Sequence, residues 1–418
     1  MVYNLAQTLP FRVSDMALAS PRLPPELIDH IVDHLQHEHS SLLACSLVSQ
    51  NFLIASRYHL FQELPLRLHT TSVLMLLSLL SSPTNHIAPY VRRFSVSRIP
   101  DFLLHHGRSD VVRAIRHLPR ALSLFPNIRS VKFAHSDLRR CPEDILLRLF
   151  SHFSHFYAVN LLSVHFERFS DFSALVCGFR CLHRLALKWV SWTHAGPHAA
   201  QPARRPHPSI RWHIHGNFQA VDLYDWLSSQ NPPPLIPLLR YDSETLQHRK
   251  AATALLRRAA PSVEQLEIVF PTYVEIKYFM NLMHDFIDIS GCIGLRAISF
   301  KQILLRPGDQ MSKVLKPWVA NILRQITSGE LRELVLELHV ARSHDDGVAY
   351  LDEFDWVSFK RALIHRRFHS LRSITFLLGP AIVDFARAVH FIRSIKLPMF
   401  ASLIRIHHMK TGERSGCW

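Results

Sequence analysis

The sequence predicts an α/β chain in which a short three-helix module is followed by an open array of β/α repeats. Two observations predict it. Residues 23–61 carry three helical patterns in about forty residues, and from residue 90 short apolar runs alternate with helix-like segments about ten times. A third observation agrees: glycine is scarce (12) beside proline (25), which argues against Gly-rich phosphate loops and against an all-β sandwich with its many tight turns.

The helical module starts where the texture changes at residue 23. In LPPELIDHIVDHLQ, Leu27, Ile31 and Leu35 stand four apart and form one stripe of a helix. Pro24-Pro25 suits a first helical turn, where a missing amide donor costs nothing, and Glu26 lies near the positive end of the helix dipole. Ser40 or Ser41 is positioned to cap a second helix carrying Leu42, Leu43 and Leu47, and residues 50–58 read as a third with Phe52 and Ala55 inward. A core of this size is insecure alone and needs a partner or the rest of the chain to cover its apolar faces.

The repeat signal is carried by runs at 91–98, 128–134, 157–164, 182–190, 210–216, 238–242, 263–270, 295–303, 331–340 and 371–378. Their centres step by between 24 residues (Leu161 to Leu185) and 40 (Leu334 to Ile374). Several begin Leu-Arg-x-aliphatic, as at Leu295-Arg296, Leu331-Arg332 and Leu371-Arg372. Helical patterns at 110–124, 142–153, 220–229, 245–259, 273–289, 311–327, 356–368 and 383–392 fill the gaps. A strand-helix unit at this period reads as an irregular leucine-rich-repeat-like β/α solenoid over residues 66–405, its parallel strands buried on both faces, although the repeat's usual turn Asn is largely missing. A closed (β/α)₈ barrel competes, but it requires polar residues gathered at the strand C-terminal ends, and those ends are mostly aliphatic, aromatic or His. Residues 1–21 read as a flexible leader, 22–65 as the helical module, 193–209 as a Pro-rich loop and 406–418 as a tail.

Composition narrows the function classes. The chain is 48% hydrophobic and 19% charged, which is foldable, and its net charge is +15. No block of five or six like charges occurs, so the charge reads as diffuse and nucleic acid as an unlikely partner. Six cysteines in 418 residues fit free, mostly buried thiols in a reducing compartment. The N-terminal stretch lacks the n- and h-regions of a signal peptide, and the apolar run from Val73 to Leu80 falls far short of the ~20 residues that span a bilayer. The expectation is an intracellular protein, cytoplasmic or nuclear, that does not engage a membrane. Twenty-nine histidines include no His-Glu-x-x-His, and Cys177 with Cys181 has no second pair at zinc-site spacing, so no metal and no cofactor are expected. The acidic patch at 345–355 precedes a helix near Trp356 and lacks EF-hand spacing. No nucleophile motif, P-loop or kinase set is present, and the chain is expected not to be an enzyme.

The string from Leu23 to Leu64 resembles the F-box family. Leu23-Pro24-x-Glu26-Leu27 opens it, Ile31 and Leu35 continue the first helix, Leu42-Leu43 start the second, Leu47-Val48-Ser49 and Phe52 follow, and His59-Leu60-Phe61 closes it. The segment ACSLVSQNFLIASRYHLF is similar to F-box proteins of mushroom-forming (basidiomycete) fungi. Phe52 stands where the family often has Trp, and Ser49 where it often has Cys. The resemblance implies that Leu23, Pro24, Glu26, Leu27, Ile31, Leu35, Leu42, Leu43, Leu47, Val48 and Phe52 bind a Skp-type adaptor, and through it a cullin. It further implies that the repeats hold a protein substrate for ubiquitin transfer by an SCF-type ligase. The rival expectation is a basic solenoid that binds nucleic acid or acidic protein, with a non-functional F-box.

Overall fold

The computed structural model describes residues 23–409 except 67–69, 83–86, 98–112, 114–115, 119, 140–155, 195–205, 216–219, 243–245, 271–286, 306–309 and 341–346. The leader, the helix expected at 142–153, nearly all of that at 273–289, most of the Pro-rich loop and Asp345-Asp346 therefore lie outside the described residues.

Three helices come first: α1 (Pro25–His34), α2 (His39–Cys45) and α3 (Gln50–Phe61). Their caps differ from expectation at α2. That helix begins at His39 with Glu38 as N-cap residue, and Ser41 Oγ donates to Glu38 Oε2 at 2.9 Å rather than capping the helix. Ser49 is the cap of α3, its Oγ accepting from the Phe52 amide at 3.4 Å. The three helices close on a core of Ile28, Val32 and Leu42, with Leu35, Phe52, Ala55 and Leu60 packed around it.

Among the described residues thirteen strands follow in one parallel sheet, and each of the ten expected runs coincides with one. They are β2 (Arg93–Ser97), β3 (Ser130–Asp137), β4 (Ala158–Arg168), β5 (Arg184–Lys188), β7 (Arg211–His215), β8 (Leu235–Asp242), β9 (Gln265–Val269), β10 (Ala297–Leu305), β11 (Glu333–Val340) and β12 (Ser373–Leu378). Sequence reading missed β1 (Glu63–Leu66), β6 (Ser191–His194) and β13 (Ile404–His408). β13 runs past the expected boundary at 405 because Ile404 and Ile406 continue the ladder of Ile374 and Phe376. Pairing follows chain order, with β6 set aside on β4, and β1 and β13 stand at opposite ends of the sheet. No pairing closes the sheet into a barrel among the described residues.

Between the strands lie α4 (Thr70–Ser81), α5 (Phe169–Gly178), α6 (Ala220–Ser228), α7 (Leu246–Ala259), α8 (Gln310–Gln325), α9 (Trp356–Leu363) and α10 (Phe385–His390). They cover one face of the sheet. Trp226 of α6 meets Trp212 of β7 at 5.9 Å between ring centroids, Trp318 of α8 meets Phe270 at 4.9 Å, and Trp356 of α9 meets Phe376 of β12 at 5.8 Å. The opposite face is half-buried along most of its length: Asn160, Ala186, His213, Arg240, Glu267, Ser299, Val335 and Thr375 are of intermediate exposure, whereas Ser95, Lys301 and Glu337 are buried. The expectation of burial on both faces is corrected here, because the described helices lie against one side alone.

Several strands enter the sheet in the same way. A buried apolar residue comes first, as Val91, Leu182, Leu295 and Leu331, each 0% exposed. The residue after it presents a carbonyl to two successive amides of the next strand. Arg92 O accepts from Arg129 N (3.0 Å) and Ser130 N (3.3 Å), and Arg296 O from Arg332 N (2.8 Å) and Glu333 N (3.1 Å). This accounts for the Leu-Arg lead-in: the leucine fills the core and the arginine stays in water.

The strands also turn a corner at a shared position. His135, Ser163, Trp189 and Gln302 have φ of 50°, 51°, 55° and 60°, in the left-handed region that L-residues seldom adopt. One such residue breaks the two-residue alternation, so positions three apart point inward together. Phe133 and Ser136, Leu161 and Val164, Leu187 and Val190, and Phe300 and Ile303 are accordingly all buried. Ser136 Oγ is satisfied by donating to Ala134 O at 3.1 Å.

Candidate docking surfaces

Helix α1 carries two adjacent apolar stripes, and the fold buries one of them. Ile28 (5% exposed) and Val32 (0%) face the module core, which leaves Leu27 (50%) and Ile31 (41%) in water. The α2 end continues the patch, with Leu43 at 48%, Leu47 at 87% and Val48 at 68% exposed, beside Leu23 at 48%. Pro24 and Glu26 are exposed, and Leu35 and Phe52 are half-buried. Leu42, at 2%, is spent on the module core. Of the residues expected at an adaptor interface, eight therefore lie on the surface of the free chain and Leu42 does not. Ile54 of α3 is 50% exposed and was not anticipated, since reading α3 for its inward positions leaves the outward apolar ones unmarked. A hydrogen bond of 2.8 Å from His59 Nε2 to Asp33 Oδ1 ties α3 to α1 behind this patch.

Six aliphatic side chains that are 41–87% exposed are costly to leave in water. Covering each is worth about 1 kcal/mol, from the ~1.5–3 kcal/mol of full burial. Their sum, about 6 kcal/mol, is comparable with the entropy lost on association. A partner must therefore engage both α1 and the α2 end to bind well.

The half-buried sheet face is the second surface. On β5 and β7 the register pairs Arg184 with Arg211 and Lys188 with His215, with His213 between them. Burial, then the neighbouring Arg184, His215 and Arg211, pull the His213 pKa down to about 4. Burial is also the main cause lowering His215, opposed by Glu267. His213 therefore stays neutral in the fold while the unfolded chain protonates it near 6.5. Unfolding takes up that proton as pH falls from about 6.5 to about 4, so stability drops across this window. In urea melts at stepped pH, His213→Gln is expected to lessen that loss. An unchanged pH slope would show that His213 is not its source.

Farther along the same face, Lys301 and Glu337 are 6% and 2% exposed and lie 3.7 Å apart, with His339 Nε2 2.7 Å from Glu337 Oε1. Among the described residues no group of three His, Cys, Asp or Glu side chains is placed to hold a metal ion. The described cysteines are free, and only Cys292 is buried; its thiol is pushed up to about 12 by burial and by Asp288. Cys45 and Cys177 are half-buried and Cys181 is exposed, so the expectation of mostly buried thiols is corrected. Asp355 of the acidic patch caps α9, its Oδ1 accepting from the Ser358 amide at 2.9 Å. No described helix is long and apolar enough to cross a membrane.

The exposed apolar helices fall within a recognised domain. Residues 20–63 match the family model of the F-box domain, so the chain carries an F-box at its N-terminal side. No curated protein matches the sequence. F-box domains generally bind Skp-type adaptors in SCF complexes, and the domain supports a role in substrate recognition by SCF-type ubiquitin ligases in general.

Proposed function

We propose that this chain is a substrate-recognition subunit of an SCF-type ubiquitin ligase. Its F-box docks on the Skp-type adaptor, and through it a cullin, while the parallel sheet holds a protein target. The observation that carries the reading is the exposed apolar patch of Leu23, Leu27, Ile31, Leu43, Leu47 and Val48 on the helices of an F-box domain. Such a patch fits a helix-in-groove contact with aliphatic anchors. In this reading the chain has no catalytic residues of its own and works inside the cell.

We read the sheet as a divergent leucine-rich-repeat solenoid. The repeat pattern L-x-x-L-x-L-x-x-N-x-L supports this. Ile128, Val131, Phe133, Ser136 and Leu138 follow its spacing, as do Phe156, Val159, Leu161, Val164 and Phe166, and likewise Leu295, Ile298, Phe300, Ile303 and Leu305. Ser136, Val164, Val190 and Ile303 take the turn position that Asn holds in the pattern. Each follows the left-handed residue at the corner.

Co-expression of the full chain with a Skp-type adaptor and a cullin tests the proposal. A stable ternary complex is expected on size-exclusion chromatography. A folded chain that elutes alone, without the adaptor, would sink it.

A further inference from the structure

The half-buried sheet face changes character between β5 and β8. Arg184 and Lys188 on β5, Arg211, His213 and His215 on β7 and Arg240 on β8 share this face, because the register of β5, β7 and β8 sets them side by side. Carboxylates stand beside this stretch. On one side Glu63 binds Arg93 at 3.0 Å and Lys132 at 3.7 Å. On the other, Glu264 binds Arg211 at 2.9 Å and Arg296 at 3.5 Å, and Glu267 of β9 pairs in register with Arg240. The charges felt at His213, those of Arg184, His215 and Arg211, all disfavour a further cation. Four cations, Arg184, Lys188, Arg211 and Arg240, are thus set against two carboxylates, Glu264 on Arg211 and Glu267 beside Arg240, and the balance of the patch is positive.

We infer that this central patch is a docking site for an acidic, extended peptide segment of a target protein. The inference rests on the substrate-recognition reading and deepens it by naming the chemistry of the target. Size fits a peptide. Strands lie about 4.8 Å apart, so β5 to β8 spans about 10 Å, the reach of about three extended residues. Two or three Asp or Glu side chains over the Arg184–Arg211 and Lys188–His215 pairs satisfy it. A nucleic acid is the poorer fit, since it needs a longer basic track with aromatic rings for its bases to stack on. The ring beside the patch, Trp189, is already occupied by Lys188 Nζ at 4.6 Å from its centroid.

The test uses the full chain and a fluorescent oligoglutamate peptide of about ten residues, longer than the patch at about 3.3 Å per residue, followed by anisotropy over a salt series. Binding is expected, and it weakens as salt rises. Arg184→Glu with Arg211→Glu should lower affinity about tenfold or more, and Arg184→Gln with Arg211→Gln by less. Arg372→Glu, at the start of β12 in the same sheet, should leave it unchanged. No binding to wild type, an equal loss in Arg372→Glu, or tighter binding of an oligouridylate of the same length overturns the assignment. Adaptor binding is measured on the same proteins. Adaptor bound without peptide removes the patch alone, whereas peptide bound without adaptor removes the ligase reading and leaves the patch standing.

Discussion

Leu27→Asp combined with Ile31→Asp is expected to abolish binding of a Skp-type adaptor, by a hundredfold or more, while the chain stays folded. Both side chains are about half in water in the free protein, so a carboxylate at either position costs little before binding. In the complex each would be desolvated against aliphatic groups without a partner, which costs several kcal/mol per site. The stripe beside them behaves in the opposite way. Val32→Asp places a carboxylate in a core of three buried side chains, and the module should unfold. Calorimetric titration with purified adaptor, paired with thermal melts, separates the two cases. Adaptor affinity within threefold of wild type in the folded double variant would mean that α1 does not face the adaptor.

Trp226→Ala is expected to be the most destabilising single truncation in the sheet body, at about 3–5 kcal/mol. Trp226 is 6% exposed and touches three rings, with centroids 5.7 Å from Phe169, 6.4 Å from Phe172 and 5.9 Å from Trp212. Trp192 joins the same group through Phe169 at 4.9 Å and anchors its own Nε1 on Asp222 Oδ2 at 2.7 Å. Removing the central indole leaves a void that its three neighbouring aromatics, each rigid, collapse into poorly. The melting temperature should fall by about 4–7 °C, and Trp226→Phe should fall about half as far. Adaptor binding should survive, because the F-box side chains form a separate cluster. A loss below about 1 kcal/mol would show that the ring cluster is not a unit.

The ten central strands were legible because each is a dense apolar run with the same lead-in. The edge strands were not. β1, Glu63–Leu66, is four residues with Pro65 exposed in its middle, and β13 spells Ile-Arg-Ile-His-His, which reads as polar without its neighbour. On α1, periodicity found an apolar face but not which half of it would be buried. Stripes at 27/31 and 28/32 differ by 100° of helix rotation, and only contact with Leu42 of α2 decides between them. The cations of β5 to β8 lay scattered over residues 184–240 and looked like diffuse charge, since registry between strands is invisible in one dimension. The buried Lys301–Glu337 pair was hidden for the same reason.

The passage from α3 to β1 leaves no joint. Helix α3 ends at Phe61 and the strand begins at Glu63. Between them Gln62 holds both the Arg92 and Arg93 amides on its carbonyl, at 3.0 and 2.8 Å, and the Arg92 guanidinium lies 4.9 Å over the Tyr58 ring. Helix module and sheet must swing together, as a lever does about its fulcrum. Anything seated on β7 then rides five strand spacings, about 24 Å along the sheet, from the first strand. The strand count acts as a ruler: adding or deleting one repeat would displace the load by about 5 Å without altering either contact surface.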